Sequence, residues 1–556
     1  MKGSRALLKT LEDRNVETVF GYPGGVVIPI YDEIMDSSIR HVLVRHEQCA
    51  AHMADAYART SGIPGVCLAT SGPGATNLVT GIATAFADSS PMIALTGQVG
   101  TGSLGLGAFQ EVDAYSLMMP ITKHNFRVLD INRLPHTVAE AWEICQTGRP
   151  GPVHIDIPVD QVNADIDESL IDEATFTIKP VATDVSGLQE AVEWIRKANR
   201  PVMMIGGGVI GGNACEEVRK LAEMTNIPIV TPMMGLGAVP SEHPLNMGPL
   251  GMHGRLGALD IFKNSDLIIA IGTKFSDRTF SAHTDPANCK VIHIDIDAVE
   301  FKKHSNHPSV NLLCDAKKGT QMLIDALGGY KDVHTEWDTR VRNIKKKCAC
   351  NFDYDTSPII PQKVMFELNK FLDDDVIVTT DVGQNQMWAM HYLDIRRPRQ
   401  FISSGSFGTM GFGLPSAIGA KAARPDSKVV TITGDGGLLM VIQELATSIA
   451  EDLPVVICLL NNGWLGMVKQ WQNLFWNSRY SETKLDADPD FVKVAEAFGA
   501  KGICVEKAGE INDAFKTAFD CDRTCLIDIR VDPNENITPM LPPNPQLPII
   551  KGRCKL

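Results

Sequence analysis

Short apolar runs, each followed by a glycine-rich turn and a helical stretch, recur along nearly the whole chain. The stretch GVCLATSGPGATNLVTGIATAFADSSPMIALTG reads as strand, turn, helix and strand. The alternation returns at PVMMIGGGVIGG, DLIIAIGTKF, KVIHIDID, KVVTITGDGG and LPVVICLLNNG. Strands that are apolar throughout and separated by helices belong to parallel sheets covered on both faces. The expected class is therefore α/β, with doubly wound parallel sheets. At 556 residues the chain exceeds a single core and suggests about three domains of roughly 150–200 residues. Two acidic, proline-containing stretches break the alternation, one at 160–184 and one ending near Pro361. They predict domains at 1–165, 183–335 and 358–535, with a tail at 536–556. The first and third blocks read as candidate distant copies of one another.

The formal net charge of −14 argues against broad electrostatic binding to nucleic acid or an anionic membrane. No run of about 18 apolar residues predicts a membrane span. The N-terminus lacks a secretory h-region and reads as an amphipathic helix on Leu7, Leu8 and Leu11. Thirteen cysteines without metal-like spacing read as reduced thiols. Together these features predict a cytoplasmic protein.

Residues 433–464, TGDGGLLMVIQELATSIAEDLPVVICLLNNGW, carry the strongest chemical signal. Asp435 follows one strand, and Asn461 and Asn462 follow the next. A helix over roughly 439–451 would return the chain so that the two strand ends become neighbours. Ligands of open α/β sheets gather at such carboxyl ends. An Asp oxygen, an Asn amide oxygen and a backbone carbonyl are hard ligands that suit Mg²⁺ beside phosphate oxygens. Gly434, Gly436 and Gly437 let a phosphate approach the backbone, and the following helix N-terminus favours an anion. Either turn alone would pass as an ordinary loop; the pair at this spacing is more specific.

The pair resembles the signature of thiamine-diphosphate enzymes, in which Asp435, Asn462 and the Trp464 carbonyl would hold Mg²⁺. On that resemblance Glu47, in RHEQCAAHMADAYAR, supplies the carboxyl group that shares a proton with the aminopyrimidine ring. In that superfamily Glu47 and Asp435 belong to sites shared between two chains, which implies a homodimer or tetramer. Met410, in GTMGFGLP, would wedge between the cofactor rings, with Gly408 offering a carbonyl. FGYPGG, ATSGPGATNLVTGIATA, AFQEVD, ITKHNF, TTDVGQNQMW and NNGWLGMVKQWQ extend the likeness along essentially the whole chain. Within the superfamily they resemble acetohydroxyacid synthase catalytic subunits. The cofactor contacts carried over are Pro23, Gly24, Thr70, Pro73, Asn77, Gln110, Val382, Gln384, Gly466 and Met467.

The resemblance implies decarboxylation of pyruvate and carboligation to pyruvate or 2-oxobutyrate. Arg278 would take the acceptor carboxylate, since a guanidinium fork suits one. Trp471, Met467 and Val468 would shape the acceptor pocket, Phe109 and Gln110 would approach from a second subunit, and Lys123 is carried over from ITKHNF. A largely structural FAD is implied in the middle block, at Arg149, Gly206, Gly207, Gly208, Met252, Gly272, Lys274 and Asp295, and His253 reads as a cofactor-pocket residue. The chain ends shortly after MLPPNPQLPII without an ACT-type extension, so feedback control would need a separate small subunit.

Departures from the family pattern are Val159 in place of lysine, the 101–107 loop, Cys49 in place of glycine, and Lys274 and Ser276 in GTKFSDR. Three other thiamine-diphosphate chemistries stay open. A 2-oxo acid decarboxylase would show an HH pair in the first block, where none is present. A pyruvate oxidase is separated less well by sequence. Another carboligase or acyltransferase is the nearest rival, although glyoxylate carboligases lack the glutamate found here as Glu47.

Overall fold

The computed structural model describes residues 1–178, 182–331, 334–348, 352–487 and 489–552. Parts of both linkers and the end of the tail expected from the sequence lie outside them. The apolar runs form three six-stranded sheets, parallel at every strand pairing described. The first contains β1 (Thr18–Gly21), β2 (Arg40–Leu43), β3 (Gly65–Ala69), β4 (Met92–Gln98), β5 (His124–Arg127) and β6 (Pro152–Pro158). The second contains β7 (Pro201–Ile205), β8 (Ile229–Thr231), β9 (Asn246–Pro249), β10 (Leu267–Ile271), β11 (Lys290–Asp295) and β12 (Ser309–Leu313). The third contains β13 (Ile377–Thr380), β14 (Phe401–Ser403), β15 (Val429–Gly434), β16 (Val456–Asn461), β17 (Lys501–Val505) and β18 (Cys525–Arg530).

Strand order distinguishes the three. The first sheet runs β2-β1-β3-β4-β6-β5, and the third runs β14-β13-β15-β16-β18-β17. These are the same order, as expected of distant copies. The second runs β12-β11-β10-β7-β8-β9, the dinucleotide-binding arrangement whose switch point lies between its first and fourth strands, β7 and β10. Among the described residues no helix is long and apolar enough to cross a membrane.

One helix joins the first sheet to the third. Glu47–Ser61 is rich in alanine, and every residue from Cys49 to Ala58 is buried. Its neighbours approach backbone to backbone. A Cβ on Gly65, in β3, would stand 2.0 Å from the Ala54 carbonyl oxygen. A Cβ on Gly419, in helix Gly413–Ala423 of the third unit, would stand 2.2 Å from the Met53 carbonyl oxygen. Around this crossing Phe20, Met53, Phe412, Ile418 and Leu459 belong to one core. The helix expected over 439–451 is divided: Asp435–Leu439 and Glu444–Ala450 flank a turn, in which Val441 packs against Gly411 in the core.

Gly419→Ala should place a methyl group on the Met53 carbonyl and destabilise the protein by ~1–3 kcal/mol. The expected result is a lower urea midpoint; an unchanged midpoint would show that the helix pair yields without cost.

Candidate functional site

In the third sheet β15 and β16 are neighbours, with Gly434 opposite Leu460, so Asp435 and Asn462 leave adjacent carboxyl ends. Asp435 Oδ2 accepts the N–H groups of Asn462 (3.2 Å) and Gly463 (2.6 Å), and Oδ1 accepts that of Gly436 (2.8 Å). Asn462 Oδ1 accepts the Trp464 N–H at 2.9 Å. Gly463 has φ +69°, which lets the chain reverse there. Asn461 turns away, and its amide donates to the buried Asp528 at 3.0 Å. A half-open cleft of about 60 Å³ lies beside this turn and is walled by Val382, Gln384, Met410, Gly434–Gly437, Asn462, Trp464 and Gly466–Val468. Among the described residues no three His, Cys, Asp or Glu side chains converge as a metal cage. A cation on Asp435 and Asn462 would thus need further oxygens from its ligand, as Mg²⁺ on a diphosphate does.

A second cluster stands at the carboxyl ends of β1 and β3. His46 caps helix Glu47–Ser61, its Nδ1 accepting the Gln48 N–H. Half-buried Glu47 follows as the first helical residue, and its Oε2 accepts the Asn77 amide at 2.9 Å. A Cβ on Gly74 would lie 3.5 Å from Glu47 Oε1, and one on Gly24 would lie 2.5 Å from Thr70 Cβ. Pro23 and Pro73 flank these contacts. Gln110 has φ +59° and packs on Gly72, while Phe109 before it is 88% exposed. Lys123 joins neither cluster. Its ammonium donates to the carbonyls of Ile144 and Thr147 at the end of helix Leu134–Gln146, where a cation complements the helix dipole.

The middle unit contributes from two places. At the switch point a Cβ on Gly206 would meet the Gly272 carbonyl at 2.3 Å, and one on Gly208 would meet the Gly272 Cα at 2.8 Å. Gly207 rests against Met234. The crossing leaves bare backbone facing outward, the cradle a dinucleotide uses. Asp295 ends β11 nearby, and Lys274 donates to the Ala87 carbonyl of the first unit. Arg149 reaches Ser89 Oγ at 2.9 Å and Asp297 at 3.3 Å. Closer to the cleft, the Arg278 guanidinium stands 5.9 Å over the Trp471 ring. The Met252 N–H donates to the Arg278 carbonyl at 2.7 Å. His253 is buried; desolvation first, then Arg278, pushes its pKa down to about 4. Its imidazole is therefore neutral at pH 7.

Two supports were not legible in the motifs. Buried Glu444 accepts the Arg45 N–H at 3.0 Å and the Thr447 hydroxyl at 2.7 Å, fixing the approach to Glu47. Burial pushes its carboxyl up, against those bonds and one from Cys49. Gln470, on helix Gly466–Phe475, accepts from Gln384 and from the Ile537 N–H, both at 2.8 Å, and donates to the Ile537 carbonyl. It ties the cleft to the tail, where the Leu541 N–H donates to the Met252 carbonyl. Gln470 stands between Lys469 and Trp471 in the sequence, and nothing local marks it as buried.

Sequence comparison agrees with this arrangement. The N-terminal binding domain, central domain and C-terminal binding domain of the thiamine pyrophosphate enzymes match residues 1–117, 188–323 and 381–529. The chain belongs to that class of α/β enzymes, whose cofactor is thiamine diphosphate. It is 47% identical to a probable acetolactate synthase large subunit of Methanococcus aeolicus, across 98% of this chain and 94% of that one. It is 40% identical to the acetolactate synthase isozyme 2 large subunit of Escherichia coli, across 98% of each. Within the class it falls in the acetolactate synthase large-subunit family.

Gln470→Ala should leave Gln384 and the Ile537 N–H without their partner, a loss of ~1–3 kcal/mol. Limited proteolysis should then cut within 533–541 faster than in the wild type; an unchanged cleavage rate would show that other contacts hold the tail.

Proposed function

We propose that the chain is the catalytic subunit of an acetolactate synthase. It would decarboxylate pyruvate and join the acetyl unit to a second pyruvate or to 2-oxobutyrate, giving 2-acetolactate or 2-aceto-2-hydroxybutyrate. This is the first common step of branched-chain amino-acid biosynthesis. The observation that carries the reading is the pair of clusters at Glu47 and at Asp435–Asn462, in a chain that matches synthase large subunits over nearly its full length.

Bound thiamine diphosphate would supply the carbon that adds to the 2-oxo acid and carries the acyl unit after carbon dioxide leaves. The chain's own residues bind, orient and exclude water. With the cofactor bound, Asp435, Asn462 and the Trp464 carbonyl would hold Mg²⁺ beside its diphosphate. Glu47, one oxygen fixed by Asn77, holds a proton at the pyrimidine ring. Met410, in the cleft wall with Val382 and near Gly408, would brace the bound cofactor. Arg278, with its guanidinium over the Trp471 ring, would bind the acceptor carboxylate through two N–H groups. Trp471, Met467 and Val468 limit acceptor size and keep water out. FAD would lie on the glycine cradle at Gly206–Gly208 and Gly272 in a structural role, with Arg149, Lys274 and Asp295 beside it and Met252 and His253 on the side toward the cleft.

Glu47 and Asp435 stand on different sheets, and the reading completes each site with a second copy of the chain, which would bring Phe109 and Gln110. A separate regulatory small subunit and a cytoplasmic setting complete it, with no nucleic-acid or membrane partner.

Purified protein with thiamine diphosphate, Mg²⁺ and pyruvate should form acetolactate. Acetaldehyde alone would indicate a decarboxylase, acetyl phosphate a pyruvate oxidase, and turnover only with another acceptor a different carboligase or acyltransferase. Glu47→Gln should lower kcat by about 10²-fold or more while cofactor binding survives; wild-type turnover would remove its role. In a competition assay, Trp471→Leu should reduce the preference for 2-oxobutyrate by about tenfold. An unchanged product ratio would place the acceptor elsewhere.

A further inference from the structure

The turn that carries Gly408 and Met410 is gripped at both limbs by buried carboxylates, neither of which belongs to the binding surface described above. Asp381 follows β13 and is fully buried. Its Oδ1 accepts the N–H groups of Val382 (2.7 Å) and Gly411 (3.0 Å), and its Oδ2 accepts that of Gly413 (2.9 Å). Burial pushes this carboxyl up while the three backbone bonds pull it down. The surrounding chain closes on it without side chains. A Cβ on Gly437, in the diphosphate turn, would stand 2.4 Å from Oδ1, and one on Gly413 would stand 2.9 Å from the Asp381 Cβ. The loops bearing Val382, Met410 and Gly437 therefore share a single anchor.

The other limb is held from the first unit. Asp88 ends helix Val79–Asp88, where the helix dipole disfavours a carboxylate. Its side chain is nevertheless buried, with Arg59 at 3.8 Å. Oδ2 accepts the Gly405 N–H at 2.9 Å, and Oδ1 accepts the Ser406 N–H at 2.7 Å. One turn earlier the Thr84 hydroxyl meets that of Thr409 at 2.7 Å, and the Ser404 hydroxyl accepts the Thr409 N–H at 3.0 Å. Between the two grips Gly408 and Gly411 take φ +71° and +84°, conformations open to glycine but among several it could take, so external contacts are what select them.

We propose that Asp88 and Asp381 are positioning residues that fix Met410 in the cofactor cleft: four main-chain N–H groups of the 405–413 turn bond to two carboxylates, one of which also holds the Val382 N–H, and give the turn one shape before any cofactor arrives. Hydrogen bonds to an ionised acceptor are the stronger kind, and a group held before binding need not be ordered during it. The inference rests on the functional reading above, in which Met410 bears on bound thiamine diphosphate.

Asparagine discriminates, because it keeps the size of aspartate but turns an NH2 group toward one of the donors. The test compares the wild type with Asp88→Asn, Asp381→Asn, Met410→Ala and the Met410→Ala double variants, each with thiamine diphosphate, Mg²⁺ and pyruvate. The readouts are kcat, KM for pyruvate and the rate at which the C2 proton of the bound cofactor exchanges with deuterium. Both asparagine variants should lose about tenfold in exchange rate and kcat, with KM within about threefold. Each double variant should be no slower than Met410→Ala alone, since a residue acting through Met410 loses its effect once that side chain is gone. Wild-type exchange in the folded single variants, or losses that multiply in the double variants, would overturn the proposal. If Asp381→Asn does not fold, the Asp88→Asn cycle decides alone. A wild type with no cofactor-dependent turnover would overturn the functional reading and this inference with it.

Discussion

Helix Glu47–Ser61 is buried on all sides, and it can be so only because its neighbours come without side chains. Gly65 brings β3 onto the Ala54 carbonyl, Gly419 brings a helix of the third unit onto the Met53 carbonyl, and Gly81 packs on Ala51. At fifteen residues the helix is about 22 Å long, and both of its ends matter. Glu47 stands at its start. Near its end Arg59 donates to the Ser403 carbonyl at 2.9 Å, at the root of the turn that carries Met410. A loose crossing would move both at once. Close packing of this kind transmits displacement and does not absorb it.

Each of the three sheets has six parallel strands and contributes one part of the proposed site. The first and third have the same strand order, yet one presents a carboxyl group on a helix start and the other a carboxylate and an amide on a glycine-lined rim. The second places backbone at its switch point. In each case the functional groups stand at strand carboxyl ends, where neighbouring crossover helices diverge and leave a crevice. Among the side chains that hold these groups are carboxylates that accept main-chain N–H groups, with Glu444 and Asp381 as examples. Such contacts fix loops without filling the crevice.

Sequence reading succeeded where the signal is local. Apolar strands separated by helices announce parallel sheets because both faces must be covered, and the return of the chain between β15 and β16 makes the spacing of Asp435 and Asn462 meaningful. It could not see contacts between distant segments. Arg45 and Glu444 lie about 400 residues apart, and nothing in ELATSIA marks its glutamate as buried. Lys123 shows the opposite limit: its motif does not reveal that the ammonium caps a helix end. The single helix expected over 439–451 failed for a tertiary reason, since Val441 turns into the core against Gly411 and divides it.

The glycine contacts also govern where this lineage is free to drift. Positions at which backbone meets backbone admit no side chain, so retuning has to take place on the rims. The positions that the resemblance marked as departures lie away from those contacts. Val159 opens the short helix after β6, the 101–107 stretch lies in the loop after β4, and Lys274 and Ser276 lie in the loop after β10. Cys49 is the one buried position among them, and it lies outside the three glycine contacts, with Glu444 beside its sulfur. A change of acceptor in this scaffold would fall to the rim loops and to the face of helix Gly466–Phe475, outside the backbone contacts that set the frame.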